Sequence, residues 1–156
     1  MTSHALEHPE TSLNARWLIV GFISGALAVL IFHQAALAVL HALDMVPSAP
    51  YSLQPTRPWG IPQIWSIAFW GGVWGVVLAL AFKRLERGAL IVASVIFSAI
   101  FPTLVAWFVV APLKGQPVAA GFVPMAMMVG PIVNAAWGLG AGIGLALFGR
   151  PRHAAP

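Results

Sequence analysis

The sequence predicts an all-α, polytopic membrane protein with four transmembrane helices, built as a parallel duplication of a two-helix hairpin. Three observations predict it. First, of 156 residues, 60% are hydrophobic and 8% charged, with a mean hydropathy of +0.88. Soluble domains carry about 25% charged residues, and a 16.5 kDa chain has too little interior to hide this much apolar surface from water. Second, the apolar residues fall in four runs, each near the ~20 residues that cross a bilayer. Third, one stretch is written twice. Pro50, Gln54, Pro55 and Pro62 recur as Pro112, Gln116, Pro117 and Pro124, and Trp74-Gly75 recurs as Trp137-Gly138.

Residues 1–16 are polar and are expected to form a short disordered tail. The first apolar run, Trp17 to Leu43, is too long for the ~7–15-residue core of a cleaved signal peptide, so it is read as a retained span. Residues 44–62 hold Pro47, Pro50, Pro55, Pro58 and Pro62, which forbid a continuous helix and favour turns and extended backbone. The second span is expected from Pro62 to Phe82 and the third from Ala89 to Val110. The fourth runs from Val123 or Pro124 to Phe148. The transmembrane domain thus covers 17–148, with repeat 1 over about 17–84 and repeat 2 over about 85–150, and 149–156 forms a second tail. Pro102 and Pro131 fall inside spans, where each removes a backbone hydrogen bond and is expected to kink its helix.

Charge sets the orientation. Arg16, Lys83, Arg84, Arg87, Arg150 and Arg152 fall on one side and only Arg57 and Lys114 on the other. The positive-inside rule places both termini and the 83–88 turn in the cytoplasm. The two Pro-rich loops then face outward. Trp59, Trp65 and Trp107 fall near the outer interface and Trp17 near the inner one, as an aromatic belt requires. The net charge of +4 is therefore a topology signal, and no nucleic-acid partner is expected. With no cysteine, disulfides and thiolate chemistry are excluded.

The repeat also carries Gly25-Ala26-Leu27 to Gly88-Ala89-Leu90. A two-span unit returns to its starting side, so both copies share one orientation, related by an axis along the membrane normal. Glycines four apart, Gly21 and Gly25, Gly71 and Gly75, Gly138 and Gly142, lie on single helix faces and let backbones approach closely. The same spacing in Gly140 and Gly144 gives the fourth span a very small surface, suited to packing within the chain or to a homo-oligomer. Trp70, Trp74 and Trp137 are expected to fill space beside these glycines. Ser24, Ser66, Ser94 and Ser98 are expected to bond to helix carbonyls.

Ionisable groups within a bilayer are functional candidates by default. Here they are His33 and His41, on one broad face of the first span. Gln34, Gln63, Thr103 and Asn134 fall at comparable depth, so an outward-opening polar pocket around His33 is the candidate binding site. The alternative is a neutral histidine hydrogen-bonded to a neighbouring helix. Eight residues separate the histidines by ~12 Å along the axis, too far to flank one iron. Met125, Met127 and Met128 are a packing cluster before they are a copper(I) site. No cofactor, metal or catalytic residue is predicted. The chain lacks paired carboxylates within a span and carries no P-loop, GxSxG or HExxH, so it is not expected to be an enzyme.

Phe32-His33-Gln34, the His41 turn, Gly60-Ile61-Pro62-Gln63, Phe69 through Gly75, and the run from Pro102 to Gly115 carry a resemblance. Together they resemble uncharacterised small four-span inner-membrane proteins of proteobacteria. The resemblance implies a bacterial inner-membrane location and brings no activity or site residues. The function expected is that of a non-enzymatic structural or accessory membrane protein. Its partners would be the lipid bilayer and a second copy or another membrane protein. The alternative is a small oligomeric transport or binding protein using the pocket.

Overall fold

The computed structural model describes residues 15–149. The N-terminal tail before Ala15 and the topology signals Arg150 and Arg152 lie outside the described residues. Four helices are long and apolar enough to cross a membrane: α1 (Ala15–Ala42), α2 (Gln63–Ala81), α3 (Arg87–Leu113) and α4 (Pro124–Gly149). By length and composition the chain is a multi-pass membrane protein. The third helix runs past Val110, where the sequence reading ended it, to Leu113. A π segment, Ala106–Val110, changes the hydrogen-bond pattern just before Pro112, which has no N–H to give. Helical structure also continues through Pro102 and Pro131.

The helices form two hairpins, α1 with α2 and α3 with α4, joined mainly where α1 meets α4. The first hairpin closes on glycine. A Cβ on Gly21 would lie 2.7 Å from the Gly75 carbonyl oxygen, and one on Gly25 would lie 3.0 Å from the Gly75 Cα. Only hydrogen atoms fit between these backbones. The second hairpin closes on glycine against serine, with Gly138 on Ser94 and Ser98, and Gly142 on Ser94. Both serine hydroxyls are fully buried and neither makes a hydrogen bond. The expectation that they bond to carbonyls is corrected: they are there because their side chains are small enough for the crossing.

The two seams between hairpins differ. Between α1 and α4, Gly140 faces Phe32, Gly144 faces Ser24 and Gly149 faces Trp17. Between α2 and α3, large rings hold the helices apart, with Trp74 and Phe97 at 6.0 Å and Phe82 and Phe97 at 5.7 Å. Trp70 does not fill space beside glycine; it is exposed, edge-on to Phe69.

The two copies of the Pro-Gln-Pro motif fold differently. In the first loop, Pro55–Thr56 (β1) pairs antiparallel with Ile61–Pro62 (β2). In the second, Pro112 belongs to the end of α3, and the chain then makes a left-handed turn through Ala119, Ala120, Gly121 and Phe122. Packing register differs as well. The 63-residue step that carries Gly75 to Gly138 carries Gly21 to Arg84, before α3 begins, whereas Gly138 packs on Ser94 and Ser98.

Candidate functional site at the loop end

Helix crossings set the depth of each candidate residue. Gly21 opposite Gly75 and Gly25 opposite Gly71 bring Gln34 level with the start of α2. Ser24 against Gly144 and the Trp137 bond to Gly25 bring it level with Asn134. Thr103 bonds to Asn134 directly. His33, Gln34, Gln63, Thr103 and Asn134 therefore lie in one layer, and His41 stands two turns above it.

Within that layer the side chains form two separate pairs. The first is on α1, where a π segment, Val29–His33, passes into regular helix at Gln34. The Gln34 Oε1 accepts the backbone N–H of Tyr51 at 2.7 Å. This fixes the amide, so its Nε2 faces the His33 Nδ1, 3.4 Å away. An amide N–H can only donate, so the His33 Nδ1 accepts and the ring proton sits on Nε2. The histidine's partner is thus its own neighbour and not another helix. Gln34 itself is fully buried, and it holds the first loop down on α1. The Tyr51 hydroxyl adds a second tie, donating to the Leu30 carbonyl at 2.8 Å.

The second pair joins α3 to α4. Asn134 Nδ2 donates to the Thr103 hydroxyl oxygen at 2.9 Å, and Thr103 is buried. Interhelical hydrogen bonds in membrane proteins contribute about 0.6 kcal/mol on average and at most ~1.7. A double-mutant cycle of Thr103→Val and Asn134→Ala is expected to return a coupling of ~0.6 kcal/mol, measured by unfolding in mixed detergent. No coupling would mean the pair is incidental.

The remaining candidates stand apart from both pairs. His41 Nδ1 lies 3.0 Å from the Val46 carbonyl, so it donates there and fastens the turn that ends α1. Gln63 has an exposed side chain, and its backbone N–H bonds to the Gln54 carbonyl. Among the described residues no group of three or more His, Asp or Glu side chains is placed to hold a metal ion. The layer offers amide and hydroxyl groups and one neutral imidazole. None of these is a nucleophile set beside a base.

Two fastening positions escaped the sequence reading. Tyr51 is the only tyrosine, and it sits between prolines, but nothing local says that it reaches Gln34 and Leu30. Trp137 was expected as a space-filler; its indole N–H also donates to the Gly25 carbonyl at 2.8 Å, tying α4 to the α1–α2 crossing.

The fold and the layer together define a four-helix membrane protein whose loop-end polar groups serve mostly to fasten its own segments. Compared with protein-family models, curated proteins and solved structures, the chain matches none of them.

Proposed function

We propose that this is a non-enzymatic structural or accessory protein of a bacterial inner membrane, acting through its membrane-facing surfaces and loops. The observation that carries this reading is the engagement of Gln34. The most deeply buried polar side chain of the layer is spent on fastening the first loop, which leaves little of the layer for a ligand. The glycine faces support it too. Gly138 and Gly142 are taken up by α3, and Gly140 and Gly144 by α1, so a second copy or another membrane protein would meet rings and aliphatic side chains instead. The Lys and Arg distribution supports cytoplasmic termini and an 83–88 turn on the same side. The likeness to the four-span proteobacterial proteins is part of the same proposal. So is the parallel duplication, which the common hairpin order supports and which applies to hairpin order and not to packing register.

The second reading, a small oligomeric transport or binding protein, keeps one favourable observation: the Asn134–Thr103 pair and His33 share a depth. Purification in mild detergent separates the two. The first reading expects a colourless protein whose assembly state is the same for wild type and His33→Ala. A bound chromophore or small molecule that His33→Ala removes would sink it in favour of the second.

A further inference from the structure

The four helices differ in length, and the surplus lies at one end. α2 has 19 residues, whereas α1, α3 and α4 have 28, 27 and 26. At ~1.5 Å per residue α2 is ~28 Å long, close to the ~30 Å hydrocarbon core, and the others exceed it by ~10 Å or more. All four are level at the end that carries the 83–88 turn. There the Trp17 indole donates to the Ala79 carbonyl at 2.5 Å, Gly149 packs on Trp17, and a short turn joins α2 to α3. The three long helices therefore overshoot the start of α2 at the loop end.

The overshoot is apolar. Val39, Leu43, Phe108, Leu113, Met125 and Met128 are all exposed there. Exposed apolar side chains gathered at one height call for contact with lipid there. The first loop, however, is held below it. Ser52 accepts the N–H of Ile64 at 3.1 Å, Gln54 that of Gln63 at 2.9 Å, and Gln34 that of Tyr51. Gln34 lies eight residues, ~12 Å, before the end of α1, and Leu30, which accepts the Tyr51 hydroxyl, ~18 Å before it.

We propose that residues 51–61 form a strap lying at the boundary between acyl chains and headgroups at the loop end, with lipid as its partner. Its own chemistry fits that solvent. Tyr51 is 53% exposed while its hydroxyl is bonded to Leu30, so a bare ring faces outward with its polar atom satisfied. Leu53 and Trp59 are 69% and 83% exposed, and Ile61 is exposed beside them. Lipid-exposed irregular backbone is not found within the hydrocarbon core, and the strap is fastened where α2, ~28 Å long, would leave that core. Pro55 and Pro58 have no N–H to satisfy, and Gly60 donates to Thr56 at 2.8 Å while Thr56 pairs with Ile61. Arg57, at the hairpin tip, has the length to reach headgroup phosphate.

The chain has no cysteine, so a single engineered one is unambiguous. Leu53→Cys, Ile61→Cys and, as an aqueous reference, Lys114→Cys would each carry a nitroxide label. They would be reconstituted in vesicles of phosphatidylethanolamine and phosphatidylglycerol. Spin relaxation by oxygen, which concentrates in lipid, is compared with relaxation by a water-soluble nickel chelate. The ratio of oxygen to nickel effect is expected to be several-fold higher at 53 and 61 than at 114. A ratio at 53 or 61 equal to that at 114 overturns the proposal and makes the strap an aqueous loop. Either label alone decides the matter if the other variant does not fold.

Discussion

Replacing Gly25 by leucine is expected to unfold the first hairpin. At Gly25 the α1–α2 crossing has no side chain to push aside: a Cβ there would run into the Gly71 carbonyl oxygen and come within 3.0 Å of the Gly71 carbonyl carbon and the Gly75 Cα. These are backbone atoms held by helical hydrogen bonds, so relief requires the two helices to separate. Separation would also break the reciprocal contacts of Gly21 with Gly75 and draw the Trp137 indole off the Gly25 carbonyl. Overpacking ordinarily costs about 1–3 kcal/mol, with relaxation of neighbouring side chains absorbing part of the strain. Here that relaxation is closed off, and a loss of about 3 kcal/mol or more is expected from unfolding in mixed detergent. Gly88→Leu is the control. A Cβ at Gly88 meets nothing within 4 Å, and this variant should stay within ~0.5 kcal/mol of wild type. Equal stability of Gly25→Leu and Gly88→Leu would show that the close crossing does not form in the membrane.

The contrast between these glycines shows what the sequence discloses. The need for small residues is local and periodic, so glycines four apart at 21 and 25, or 71 and 75, announce a close approach without naming the neighbour. Which neighbour is a tertiary fact. Along α4 the glycines form two stripes that serve two different helices, α3 through Gly138 and Gly142 and α1 through Gly140 and Gly144. The sequence alone therefore favours packing within the chain for that surface while leaving oligomerisation open. The four spans were legible because length and hydropathy are sums over a run, and errors at single residues cancel. Their unequal lengths were less so: the end of α3 shifted from Val110 to Leu113 because a π segment admits Pro112 into the helix.

Polar residues were legible as exceptions and illegible as partners. Gln34 in an apolar run announced itself, and its depth was read well enough to group it with Thr103 and Asn134. Its hydrogen-bond partner is a backbone N–H in an irregular loop, 17 residues away. No periodicity leads there. Gln63 shows the opposite failure: the position at the start of α2 is right for the layer, but the residue is exposed and its side chain makes none of the layer's hydrogen bonds. The β1–β2 pairing that ends at Pro62, directly before the helix, leaves no mark in the apolar periodicity.

Trp137→Ala should cost nearly as much as the Gly25 substitution, for a different reason. The ring is 3% exposed and belongs to the buried cluster that includes Ala28, Val29 and Ala68. Its removal leaves a cavity between three helices that the glycine crossing is too rigid to close, and buried aromatic-to-alanine changes cost about 3–5 kcal/mol. Trp137→Phe separates packing from hydrogen bonding. It keeps most of the ring and loses the N–H that meets the Gly25 carbonyl, with an expected cost between ~0.6 and ~1.7 kcal/mol. If phenylalanine proves as damaging as alanine, the indole's full shape is what fills the site and the hydrogen bond is secondary. The neighbouring glycine provides a further check. A Cβ on Gly71 would run into the Val29 side chain and sit 3.0 Å from the Gly25 carbonyl oxygen and 3.2 Å from the Trp137 Nε1, so Gly71→Ala should disturb both ends of this hydrogen bond. With that bond already weakened, Gly71→Ala and Trp137→Phe together should cost less than the sum of the two alone. Strict additivity would place the tryptophan outside the α1–α2 crossing.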